Sequence, residues 1–172
     1  MSIHVTEEIV LETLSRSDAK AVFDLVENNR NQLQQYLYWV DDVTDIKSTE
    51  QYIDARINSG LPEARWYKIV FRNKVSGIFG VKSLCREQSE AEIGYWLSQG
   101  AQRYGVVSRI ISEVCTILKS EGIHFLKINC LQENQASIAV AERSGAIHTG
   151  IISDYLQVAG QFQDLYTYTK RL

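Results

Sequence analysis

Proline occurs once in this sequence, at Pro62, and no Pro/Gly/Ser-rich stretch, internal repeat or low-complexity run interrupts the chain. Linkers between domains are therefore not expected, and residues 1–172 read as one domain, a length sufficient for a real core. Cysteine is scarce: Cys85, Cys115 and Cys130 are odd in number and lack metal-ligand spacing, which argues against a disulfide framework or a zinc site and for reduced core thiols. Lys and Arg form no block, and the net charge is −3, so nucleic acid is not the expected partner. No apolar run approaches membrane-spanning length, and residues 1–8 lack the basic-then-apolar layout of a signal peptide, so a cytoplasmic protein with no membrane partner is expected. The three histidines, His4, His124 and His148, stand in ordinary surroundings and form no His/Asp/Ser or His/Cys constellation. No resident metal is expected.

What is present is the balance of an ordinary globular domain, 45% apolar and 23% charged residues. The most informative stretch runs from Glu92 to Glu113. Ile93, Tyr95 and Leu97 alternate with Glu92, Gly94 and Trp96 in the period-2 pattern of a strand ending near Ser98. From Val106 the apolar residues Val106, Val107, Ile110, Ile111, Val114, Ile117 and Leu118 recur at three- and four-residue steps, an amphipathic helix beginning near Gly105. No acidic residue occurs between Leu97 and Ser112. A turn that presents free N–H groups at a helix N-terminus, without a carboxylate nearby, is suited to an anion.

The flanking chain supplies the rest of an alternating architecture. A first strand covers Ile9 to Leu14; Ser15 to Asp18 offers N-cap chemistry for a helix with Val22, Phe23 and Val26 on one face, ending near Asn28 to Arg30. Ser48-Thr49-Glu50-Gln51 has the form of a capping box with Ser48 as the cap, opening a helix that stops at Gly60. Trp66 to Phe71 and Val75 to Leu84 read as strands joined at Asn73-Lys74, and Gly77 and Gly80 suit close approach of other backbone. A strand from His124 to Cys130, a short helix capped by Asn134 and stopped by Gly145, and a hairpin of Ile147 to Tyr155 with Gln161 to Tyr168 complete the chain. Three consecutive strands imply antiparallel pairing, and the strand–helix–strand step from Glu92 to Cys130 implies a right-handed parallel crossover. The expected fold is α/β (α+β), with a mixed, mostly antiparallel sheet of about seven strands flanked by about four helices. Between the first two helices, Leu33 to Val40 is aromatic-rich and precedes Asp41, Asp42 and Asp45. This segment is either a substrate wall with an amine-attracting rim or core aromatics beside a solvated acidic loop.

Ala91-Glu92-Ile93-Gly94-Tyr95-Trp96-Leu97, Gln102-Arg103-Tyr104-Gly105-Val106-Val107 and Asn134-Gln135-Ala136-Ser137 followed by Ala141-Glu142-Arg143-Ser144-Gly145 stand in an order and spacing that together are fairly specific. With them the whole chain resembles the GNAT superfamily of acetyl-CoA-dependent N-acetyltransferases, and within it the RimL/RimJ-like ribosomal-protein acetyltransferases. Leu37-Tyr38-Trp39-Val40-Asp41 resembles a tryptophan-bearing segment of that branch. The resemblance implies acetyl-CoA as co-substrate, with the turn of Gln102, Arg103, Tyr104, Gly105, Val106 and Val107 holding its pyrophosphate. It further implies that backbone at Trp96, Leu97 and Ser98 pairs with the pantetheine arm and polarises the thioester carbonyl. Arg103 stands where RimL-like members have glycine, which conflicts with positive φ but adds a cation beside two phosphates.

The same resemblance places Asn134 and Ser137 beside the coenzyme and its departing sulfur, with Ser137 as general acid or thiolate donor. The glutamate base of RimL-like enzymes falls on Leu156 here, so Glu92 is the first substitute and Asp154 the second. Trp39, Asp41 and Tyr155 are the implied acceptor contacts, and a homodimer is implied as well. The expected activity is direct acetyl transfer, in a ternary complex, to a primary amine. A protein N-terminal α-amine, perhaps of a ribosomal protein, comes first. Alternatives are a small polyamine or aminoglycoside, drawn in by Asp41, Asp42 and Asp45, and a non-catalytic acyl-CoA-binding module.

Overall fold

The computed structural model describes residues 2–172, and among them eight strands form one sheet with four α-helices on its two faces. In chain order the elements are β1 (Ser2–His4), β2 (Ile9–Thr13), α1 (Ala19–Leu33), α2 (Ile46–Ile57), β3 (Arg65–Phe71), β4 (Lys74–Cys85) and β5 (Glu90–Leu97). Then follow α3 (Val106–Ser120), β6 (Phe125–Leu131), α4 (Gln135–Arg143), β7 (Ile147–Val158) and β8 (Gln161–Arg171). The sheet order is β1-β2-β3-β4-β5-β6-β8-β7, antiparallel throughout except where β5 meets β6. That parallel pair is joined through α3, as a crossover requires.

Alternation along the central strands feeds two cores. Phe79, Val81, Ile93 and Ile128 pack with Val106, Val107, Ile110 and Ile111 of α3 and Ile138 and Ala141 of α4. On the opposite face Ile78 and Trp96 pack with Val22, Val26 and Leu33 of α1 and Tyr52 and Ile53 of α2. Ala91 and Ile93 from one face of β5 and Trp96 from the other are buried, while Glu90 and Glu92 at its start are ion-paired with Lys127 and Lys82.

Four sequence expectations need correction. The sheet has eight strands because Ser2–His4 adds to the edge, pairing with Val10 to Glu12; three residues are too few to show a period. Helix α1 continues to Leu33, whose burial rewards one more turn past Arg30. Helix α2 begins before Ser48: Asp45 is the cap, accepting from the Ser48 N–H at 2.6 Å, while Ser48 Oγ accepts from the Asp45 N–H at 3.0 Å. Ser48 thus closes the box from its third position. The β3–β4 turn is Arg72-Asn73, both at positive φ (50° and 62°), with Phe71 opposite Lys74. Two left-handed residues give the turn whose twist matches a two-residue hairpin.

Gly77 deserves its position for a steric reason. It pairs with Leu97 across β4–β5, and a Cβ there would lie 2.2 Å from the Trp96 carbonyl oxygen. Backbone has to move to admit it. Gly77→Ala is therefore expected to lower stability in urea unfolding by ~1–3 kcal/mol, whereas Gly100→Ala, with nothing within 4 Å of the added carbon, should stay close to wild type.

Candidate active site

The parallel pairing of β5 with β6 runs only from Glu90–Phe125 to Ile93–Ile128. Past that point β5 stays with β4 as far as Leu97–Gly77, while β6 stays with β8 as far as Leu131–Leu165. The two strands part company, and the β6-facing edge of Gly94 to Leu97 is left without a strand partner. A cleft of about 780 Å³ opens at the split. Tyr95, Trp96 and Leu97 line it from β5, Asn134, Ala136, Ser137, Val140 and Arg143 from α4 and its cap, and Gln32, Leu33, Gln35, Tyr36 and Leu37 from the end of α1 and the segment after it.

Its third wall is the turn into α3. Ser98 N–H donates to the Ser76 carbonyl at 2.8 Å and Gln99 N–H to Asn29 Oδ1 at 3.0 Å, which fixes the exit of β5 against β4 and α1. Gln102 Nε2 reaches back to the Leu97 carbonyl at 3.4 Å. Arg103 and Gly105 both take left-handed backbone, φ 68° and 70°, and α3 then starts with no side-chain cap and no acidic residue in its first turn. Arg103 adopts the conformation that glycine would take more freely; its side chain is exposed and makes no ion pair among the described residues. The uncapped N–H groups and aligned peptide dipoles of a 15-residue helix face the cleft beside Gly105, Val106, Val107 and Ser108.

The charge of the lining is one-sided. It includes Arg103 and Arg143 and no carboxylate. On α4, Asn134 Oδ1 accepts from the Ser137 N–H at 3.2 Å, so the cap itself fixes the backbone that carries the Ser137 hydroxyl into the cleft. Cys130 is buried, and burial pushes its thiol up to about 12, so it is an inert packing residue at neutral pH. Such a site is built to hold a polyanion at the α3 turn, to hydrogen-bond an extended amide chain along the free edge of β5, and to present a hydroxyl where that chain ends.

Of the residues singled out in the sequence, the structure brings Trp96, Leu97, Gln102, Arg103, Gly105, Val106, Val107, Asn134 and Ser137 together. The others lie elsewhere. Ser98 is buried behind the turn, and Tyr104 turns outward, stacked on Phe71 at 5.4 Å under the Arg72 guanidinium. Glu92 lies outside the cleft lining, ion-paired with Lys82. Asp154 is exposed on β7 at φ 51°, its N–H bonded to Asp164 Oδ1, and Tyr155 is half exposed beside it. Asp41 is exposed away from the lining. Trp39 is only 8% exposed, 4.2 Å from the Tyr52 ring and 5.7 Å from Trp96, which makes this residue core and not part of an open wall. Tyr95 and Arg143 were within reach of sequence reasoning: the first shares the strand face of Ile93 and Leu97, the second closes the α4 motif. Leu33, Tyr36 and Leu37, part of the aromatic-rich segment offered as a possible wall, do line the cleft, whereas Gln32 and Gln35 beside them had no signal in the sequence.

A scan against family models matches residues 8–147 to the acetyltransferase (GNAT) domain. The chain belongs to the GNAT acetyltransferase family. Among curated relatives, the acetyltransferase is 25% identical over 173 residues to the ribosomal-protein-serine acetyltransferase of Escherichia coli, covering 98% of this chain and 96% of the relative. It is 24% identical to the putative ribosomal N-acetyltransferase YdaF of Bacillus subtilis, with 96% and 92% covered. Among solved structures it superposes on RimL, the ribosomal L7/L12 α-N-protein acetyltransferase in complex with coenzyme A, with TM-score 0.91 and 28% identity, covering 100% of this chain and 98% of that one. A Salmonella typhimurium acetyltransferase described as modifying the N-terminal serine of 50S subunit protein L7/L12 matches with TM-score 0.87 and 27% identity over 100% and 99% of the chains. The chain is thus an acyltransferase with the GNAT fold.

Behind β5 the acetyltransferase supports its cleft with a buried polar bond, Trp96 Nε1–H to the Tyr52 hydroxyl at 2.9 Å. The Arg56 guanidinium covers the Tyr52 ring at 3.4 Å, and burial raises the phenol further from ionisation. Tyr52→Phe leaves the indole N–H unpaired in an apolar core, and equilibrium unfolding is expected to show a loss of ~1–3 kcal/mol.

Proposed function

We propose that this acetyltransferase moves the acetyl group of acetyl-CoA to the α-amine of a protein N-terminus, with a ribosomal protein as the acceptor class, by direct transfer in a ternary complex. The observation that carries the reading is the cleft itself: an unpaired strand edge, a helix N-terminus with Arg103 and Arg143, and no carboxylate. Gln102, Arg103, Gly105, Val106 and Val107 hold the coenzyme pyrophosphate. The main chain at Trp96 and Leu97 pairs with the pantetheine amides and polarises the thioester carbonyl. Asn134 and Ser137 stand at the sulfur. The amine nitrogen attacks the carbonyl carbon, the C–S bond breaks, the thiolate leaves accepting a hydrogen bond from Ser137 Oγ–H, and the ammonium proton passes to solvent.

A cleft without a carboxylate base selects its acceptor by proton affinity. At pH 7 roughly a tenth of α-amines, with pKa about 7.7–8.0, are neutral, against about one lysine in a few thousand. The RimL relatives, whose names specify an α-N-terminal and serine acceptor, support the same choice. The exposed apolar side chains Ile147, Ile151, Ile152, Tyr155 and Phe162 on the terminal hairpin support self-association into a homodimer. A ribosomal acceptor and acetyl-CoA as donor support a cytoplasmic location.

The deciding experiment is acetyl-CoA-dependent thiol release with peptides bearing a free N-terminus, N-blocked lysine peptides, and polyamines. Turnover is expected with the first group. Its kcat/KM should rise with pH up to about 8 and then level, tracking deprotonation of the amine; equal rates on lysine peptides would refute the assignment. Arg103→Gly keeps the left-handed turn and removes a cation. Calorimetry should show coenzyme A binding weakened severalfold, with the difference shrinking as salt is raised.

A further inference from the structure

Tyr95 carries a feature that the transfer mechanism above leaves unused. Its ring lines the cleft from β5 and packs against the α3/α4 core, yet its hydroxyl is buried with no hydrogen-bond partner. Buried hydroxyls are rarely left so, because the bonds given up to water are not replaced. Three groups lie near enough to act on it electrostatically: the neutral Cys130 thiol, the Arg143 guanidinium and the Ser137 hydroxyl. Burial raises the phenol well above its ordinary value, so it is a proton-bearing donor throughout the physiological range, and the nearby Ser137 hydroxyl offsets part of that rise. The Ser137 N–H is committed to Asn134, which leaves its hydroxyl free of that cap. Tyr95 and Ser137 line the same cleft, one from β5 and the other from α4.

We infer that Tyr95 is a positioning residue for the acetyl transfer: its O–H donates to Ser137 Oγ when the coenzyme fills the cleft, which turns the Ser137 O–H toward the departing sulfur. This rests on the proposed role of Ser137. A serine hydroxyl rotates freely and can spend its proton on water or on a nearby carbonyl. Occupying one Oγ lone pair from behind leaves the proton to point forward, and a donor that is itself hydrogen-bonded polarises more strongly toward the thiolate as charge develops. No proton leaves Tyr95 in this scheme. The negative charge stays on sulfur until solvent protonates it, and the tyrosine acts only through the orientation and donor strength of the serine.

Coenzyme A alone is the probe, so the test does not depend on the acceptor. The ionisation of the bound thiol is followed by its thiolate absorbance against pH in wild type, Tyr95→Phe, Ser137→Ala and the double variant. Thermal unfolding and the affinity for the thiol form are measured in parallel. Tyr95→Phe removes a partnerless hydroxyl, so its melting temperature should equal or exceed that of wild type, and its affinity should stay within about twofold. The bound thiol is expected to ionise about one pH unit higher in each single variant and no higher in the double, the signature of two groups acting in series. A shift in Ser137→Ala with none in Tyr95→Phe overturns the role of Tyr95 and leaves the serine assignment standing. So does a Tyr95→Phe shift that persists in full on the Ser137→Ala background. No shift in either variant removes Ser137 from the sulfur and the tyrosine role with it.

Discussion

The structure depends on an interrupted ladder. Where β5 and β6 pair, from Glu90 to Ile93, the sheet is continuous and closed; where they separate, the main chain of Gly94 to Leu97 keeps its partner on β4 and loses the one on β6. Backbone groups without partners are costly when sealed in a core and useful when they face a ligand. The separation is kept open from both sides. β8 holds β6 along seven residue pairs from Phe125 to Leu131, and the Gly77–Leu97 approach, with Trp96 anchored on Tyr52, holds β5 back. The Asn134 cap then starts α4 immediately after β6, so a hydroxyl-bearing first turn overlooks the gap.

Electrostatics complete what topology begins. The turn from Gln102 to Gly105 spends two left-handed residues to aim an uncapped helix into the cleft, and one of them, Arg103, also brings a cation there. Left-handed backbone in a residue with a Cβ costs ~1–2 kcal/mol, a burden that persists where the geometry serves a ligand. The same cleft is lined by no carboxylate, and Glu92 is ion-paired with Lys82 outside it. A phosphate-bearing ligand fits such a lining.

Much of this was legible before any coordinates. Period 2 in Glu92–Leu97 and period 3.6 from Val106 placed the central strand and helix to within two residues of β5 and α3, because a side committed to the core leaves a periodic pattern. The glycine-bearing turn free of acid was legible for an equally local reason, and the structure sets it at the cleft. Edges and ends were less readable: Ser2–His4 is too short for a period, and the α2 cap moved from Ser48 to Asp45 because either residue can play either part in a reciprocal box.

The sequence by itself determined the local chemistry: where strands and helices run, which turn leaves a helix start uncapped and free of acid, and which helix start carries Asn134 and Ser137. The tertiary structure alone decided which residues meet. Trp39, read as a candidate wall, went into the core with Tyr52 and Trp96, while the end of α1 became part of the cleft. Tyr95 and Ser137, distant in the chain, came to line one cleft, and Glu92 found Lys82. Periodicity encodes which way a side chain points from its own element, a short-range property. Which partner it finds there depends on where two strands stop pairing, and that is set by the summed packing of the whole sheet.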